Sequence, residues 1–223
     1  MNTSAVIVLA AGLLTLGAVS CTTVSNGSIA NEATAASYTH TESTNGLVIL
    51  AVNWGRHWGC GAYENAEIMS IGFDRLPAND TAIKAQPEVF LDGPSRLLKQ
   101  PGFFDYALSL KPGEYALTSF DIKVARSVTE VGFLKADRSQ LLKDGKPLGG
   151  SFDVKAGEVV YIGNFYLDCN GQPTLWRYYT DGRAGFKKHM NEVKQKYPFI
   201  DPDKVHFRLF RTTTIGKDYE LPD

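Results

Sequence analysis

The sequence predicts an all-β protein, mainly antiparallel, in which two sheets pack as a sandwich and one amphipathic helix lies near the C-terminus. Three observations carry this. From Leu47 to Thr213, short runs rich in β-branched and aromatic residues follow one another at close spacing. Gly, Pro, Asn and Asp clusters punctuate them. Only one segment, at 183–197, has a clear helical apolar period. The 223 residues are 43 % hydrophobic and 11 % aromatic, which supplies a full core for one domain of about 200 residues.

Met1 to Gly17 form an apolar stretch without a charged side chain, followed by Ala18-Val19-Ser20-Cys21 and then by Thr, Ser, Asn and Ala. An apolar run ending in small residues is the layout of a secretory signal. Ending on Cys, it resembles a bacterial lipoprotein signal. That resemblance implies a signal peptide at 1–20 and acylation of Cys21, which becomes the new N-terminus and a lipid anchor. Two features depart from the pattern: the n-region lacks Lys and Arg, and Ala18 stands where Leu is usual. Ala18 and Ser20 also fit the small-x-small site of ordinary secretion, which would leave Cys21 unmodified. The run is short of the ~20 residues that span a bilayer core. After Cys21, residues 22–45 are rich in Ser, Thr, Ala and Asn, with few large apolar groups. Such a segment buries too little to offset its ordering entropy, so 21–45 reads as a flexible tether and 46–223 as the folded domain.

The first strand is Leu47-Val48-Ile49-Leu50-Ala51-Val52, an unbroken apolar run short enough for a buried strand. Further runs follow at Glu67–Phe73, Glu88–Leu91, Phe103–Leu110, Glu114–Arg126, Val128–Leu134, Gly150–Val154, Glu158–Asp168, Thr174–Tyr179 and Val205–Thr213. Tight turns join them at Lys111-Pro112-Gly113, Lys143-Asp144-Gly145, Lys155-Ala156-Gly157 and Asn170-Gly171. In the helix, Asp181 is placed to cap, Phe186, Met190, Val193 and Tyr197 share one face, and Pro198 terminates. The Pro-Gly-Glu-Tyr-x-Leu strand entry at Pro112 looks like that of immunoglobulin-like and transthyretin-like sandwiches.

If Cys21 takes lipid, Cys60 and Cys169 remain, and an oxidising compartment favours pairing them. Two buried thiols or a reactive Cys60 are the other readings. The segment Asn53-Trp54-Gly55-Arg56-His57-Trp58-Gly59-Cys60-Gly61 is the most unusual in the domain. Trp54, Arg56, His57 and Trp58 could form a ligand-binding loop, with stacking faces and a guanidinium fork among glycines. Trp176, Tyr178 and Tyr179 would lie near it if Cys60 and Cys169 are bridged. The alternative is a strand end and turn with both tryptophans in the core.

A net charge of −1 suggests no polyanion partner such as nucleic acid. The four histidines are dispersed, and neither His-Glu-x-x-His nor paired Cys-x-x-Cys occurs, so no metal site is expected. No phosphate-cradling glycine loop points to a cofactor and no Gly-x-Ser-x-Gly elbow to a catalytic serine. Together the Cys-terminated signal, Lys-Pro-Gly-Glu-Tyr-Ala-Leu, Ala-Gly-Glu-Val-Val-Tyr-Ile-Gly-Asn and the helix ending in Tyr-Pro resemble uncharacterised Gram-negative lipoproteins of the domain-of-unknown-function type. The resemblance implies a β-sandwich at an envelope membrane and carries no catalytic residues over. The tether, the sandwich and the missing catalytic signature together lead to the expectation of a non-enzymatic envelope lipoprotein that binds or organises a partner in the periplasm. The contrasting expectation is a glycan- or peptide-binding module, or a weak hydrolase, using the Trp54–Cys60 loop. Thr22, where an Asp would retain an inner-membrane lipoprotein, makes the periplasmic face of the outer membrane the expected location.

Overall fold

The computed structural model describes residues 31–78, 86–94 and 102–222. The signal-like segment and Cys21 lie outside the described residues, so acylation of Cys21 stays an expectation. In chain order the elements are α1 (Ala35–Thr41), β1 (Gly46–Val52), β2 (His57–Cys60), β3 (Tyr63–Arg75), β4 (Val89–Asp92), β5 (Phe104–Leu110), β6 (Gly113–Ala125), β7 (Val131–Ala136), α2 (Arg138–Leu141), β8 (Leu142–Lys143), β9 (Lys146–Pro147), β10 (Ser151–Val154), β11 (Val159–Asp168), β12 (Thr174–Tyr178), α3 (Gly182–Lys196) and β13 (Val205–Phe207).

Two large sheets form, and β8 pairs with β9 as a small hairpin. One sheet runs β10-β6-β3-β2, with β4 also on β3 and β7 also on β6. All its pairs are antiparallel. The other runs β12-β11-β1-β5, with β13 also on β11. It is mixed: β1 lies parallel to β11 and antiparallel to β5, and β13 is parallel to β11. The protein is therefore mostly β and sandwich-like, as expected, with parallel pairing that the expected antiparallel plan did not include.

The apolar run of β1 is explained by its central place, because a strand covered on both faces has no polar side to show. Val48, Leu50 and Val52 join the core between the sheets, while Leu47 and Ile49 join a second cluster. The first core also holds Trp54, Ile68, Phe73, Tyr115, Phe152 and Phe165. In the second, Phe186, Met190, Val193 and Tyr197 lie with Leu47, Ile49 and Tyr161. The apolar face read from the α3 sequence is thus its buried face. Asp181 occupies the N-cap position but makes no side-chain cap; its carboxylate instead accepts the Tyr219 hydroxyl at 2.9 Å.

The expected tether is corrected over its second half. Asn31–Ala33 pair with the free edge of β5, with Ala33 N–H donating to the Ala107 carbonyl at 2.7 Å and Ser109 N–H to that of Asn31 at 2.9 Å. Thr34 and Ser37 then form a capping box that starts α1. Tyr38 packs against Phe199, and the Tyr197 hydroxyl donates to Glu32 at 2.5 Å. Composition missed this because backbone pairing and a few anchors, not a large apolar content, hold the segment. Among the described residues, the fold begins at 31 and not at 46.

Candidate functional site

The loop leaving β1 enters β2, and each singled-out side chain takes a different fate. Trp54 is fully buried between the sheets, and its indole N–H donates to the Tyr106 hydroxyl at 2.7 Å. Burial pushes that tyrosine up to about 12, so the hydroxyl stays protonated and available as the indole's acceptor. Trp54 therefore leaves the expected binding set: a buried indole needs a partner, and it finds one in the core. Trp58 does the opposite and stands 62 % exposed, with the Arg56 guanidinium 5.4 Å from its ring centroid. Alternation along the strand turns His57 the other way, where Nδ1 and the Tyr166 hydroxyl hydrogen-bond at 2.5 Å.

Tyr166 extends the site. Its ring contacts His57 at 5.3 Å, Phe103 at 5.9 Å and Tyr178 at 6.0 Å between centroids. Phe103 and Tyr178 are themselves exposed. Burial raises the Tyr166 hydroxyl above its ordinary pKa, keeping it a neutral hydrogen-bonding group. Of the three aromatics expected nearby, Tyr178 joins this strip, Trp176 is half-buried opposite Tyr166 across the β11–β12 pair, and Tyr179 stacks instead on Tyr219 at 4.0 Å. Tyr166 and Phe103 were not singled out from the sequence. A strict period of two in Phe165-Tyr166-Leu167 carries the signal for Tyr166, since its neighbours both face the core.

The rim is held by the Cys60–Cys169 disulfide, which joins the β2 end of one sheet to the β11 end of the other. This removes the readings of Cys60 as a free or reactive thiol. The β2–β3 turn needs glycine: Gly61 has φ +59°, and a Cβ there would collide with the Gly171 carbonyl of the facing hairpin. Between the two hairpin tips lies an open groove of about 850 Å³, lined by Gly59, Gly61, Tyr63, Cys169, Asn170 and Gln172. Its lining offers backbone amides, two carboxamides and a phenol, with no ionised side chain.

Among the described residues no cluster of three or more His, Cys, Asp or Glu could hold a metal ion, and no helix is long and apolar enough to cross a membrane. Comparison with protein-family models, curated proteins and solved structures gives no match.

Proposed function

We propose that this chain is a non-enzymatic lipoprotein of a Gram-negative envelope, anchored through an acylated Cys21, that binds a periplasmic partner through the rim of Arg56, His57 and Trp58. The observation that carries the reading is an indole left 62 % exposed under an arginine, on a hairpin fixed by a disulfide. Trp, Tyr and Arg are the residues most enriched where association energy concentrates, and a rigid mount lowers the entropy cost of engaging them. The Cys-terminated signal supports the anchor, and Thr22 supports the outer membrane. The kinship with Gram-negative lipoproteins of unknown-function type, and with immunoglobulin-like or transthyretin-like sandwiches, belongs to the same proposal. It rests on the tight Lys111-Pro112-Gly113 turn into a long strand, and the parallel β1–β11 pair is its main departure.

The uncharged groove beside Trp58 favours a second reading, a glycan or neutral peptide lying across the hairpin tips. The hydrolase form of that reading loses Cys60 as nucleophile, because its sulfur is bonded to Cys169. One experiment separates the readings. A photoreactive phenylalanine analogue at position 58 of the full chain, in a Gram-negative envelope, should give discrete crosslinked protein species that Arg56→Ala weakens. The same analogue at the exposed Leu148 should give none. Crosslinks that collapse on muramidase digestion would replace the protein partner by a glycan, and equal labelling from both positions would remove the rim as the binding surface.

A further inference from the structure

Arg177 is the one buried cation of this fold whose charge the described residues leave without an ion pair. It sits on β12 opposite Phe165 and is 1 % exposed. Its backbone N–H donates to the Ile215 carbonyl at 2.6 Å, and Nη2 donates to the Lys217 carbonyl at 2.7 Å. Nε and Nη1 have no hydrogen-bond partner. The Tyr179 ring centroid lies 5.9 Å from the guanidinium carbon. Taking a guanidinium out of water is costly unless an anion and hydrogen bonds replace the solvent, and unmade bonds of a buried charged donor add to that cost. The same burial draws the Arg177 pKa below its ordinary value, with Asp218 and the tyrosines opposing only in part.

Arg177 also lines a cavity of about 460 Å³ between the chain after β13 and the C-terminal segment. That volume is within the range of small-molecule sites. Two other arginines border it, and both are already neutralised. Arg208 forks onto Glu158 at 2.7 and 2.6 Å, and Arg211 pairs with Glu114 at 3.0 Å and with Asp153. Arg208 Nε is a further buried donor without a partner. Phe207, Phe210 and Leu221 supply apolar wall, while Asp218 and Glu220 place negative charge on the C-terminal side.

From this geometry we infer that the cavity is a binding site for a small monoanionic carboxylate carrying an apolar group, with Arg177 as its counter-ion. Arg177 supplies the positive charge at the wall, Phe207, Phe210 and Leu221 take the apolar part, and Asp218 and Glu220 select against multiply charged anions such as phosphate. The carboxylate belongs either to a free acid or to the C-terminus of a peptide. This site is separate from the Trp58 rim and does not depend on the reading given to it.

The test is calorimetric titration of the full chain in detergent with 3-phenylpropionate, its neutral amide, inorganic phosphate, and acetyl-Ala-Phe as free acid and as C-terminal amide. The acid should bind at least tenfold more tightly than the amide and than phosphate. Comparison of the two peptides then distinguishes a free acid from a chain terminus. Asp218→Asn removes an exposed like charge from the cavity and should tighten the acid several-fold, which keeps the proposal testable if Arg177→Gln fails to fold. Arg177→Gln, where folded, should abolish binding. Equal affinity for acid and amide, or no binding in both the native chain and Asp218→Asn, would overturn the inference and leave Arg177 as a clamp on the C-terminal segment.

Discussion

Trp54 and Trp58 stand four residues apart and meet opposite environments. Trp54 loses all contact with water and gains Tyr106 as acceptor, whereas Trp58 keeps its face in solvent under Arg56. The sequence could not separate them, because each is flanked by a glycine and an alternation begins only where β2 pairs with β3. Truncating a fully buried indole removes its transfer energy, leaves a cavity and strands a hydroxyl. Trp54→Ala should therefore cost about 3–5 kcal/mol in denaturant unfolding. Trp58→Ala, on the surface, should stay within about 0.5 kcal/mol. Similar losses for both would contradict the assignment of one to the core and the other to the rim.

At the scale of elements, the strands were legible wherever a β-branched run filled a core face, as in β1, β3, β6 and β11. The α3 face was legible for the corresponding reason, since Phe186, Met190 and Val193 repeat at helical spacing and are buried together. Three features were not legible. β2 carries Trp58 and Gly59 outward and has little apolar signal of its own. The edge segment at 31–33 is recruited by backbone pairing to β5, and α1 has no buried residue. The rim depends on β2, a four-residue edge strand, so its rigidity is borrowed from Cys169. Closing a loop of 109 residues should contribute about 4–5 kcal/mol on the chain-entropy model. The Cys60→Ser/Cys169→Ser double variant should lose stability of that order. Unfolding curves of the native chain with and without reductant provide the check, and coincident curves would show that the bridge does not hold the sheets.

Across the whole molecule, the two sheets are interlocked along the chain. β1 is laid down early, but its parallel partner β11 arrives only after the whole six-stranded sheet has been made. Such pairings join residues about a hundred positions apart, and local patterns of period two carry no information about them. That is why the sandwich and its helix were readable while the mixed sheet, the joined hairpin tips and the cavity at Arg177 were not. Among the described residues the fold begins at residue 31, ten positions after Cys21 in the sequence. The central claim, a disulfide-held binding domain hung from a lipid, is tested most directly by the intact mass of the mature chain from membrane and soluble fractions, with thiols alkylated before and after reduction. The account predicts a membrane-bound species beginning at Cys21 with added acyl mass and two thiols that appear only on reduction. A soluble species with an unmodified Cys21, or one in which Cys60 is alkylated without reduction, would contradict it.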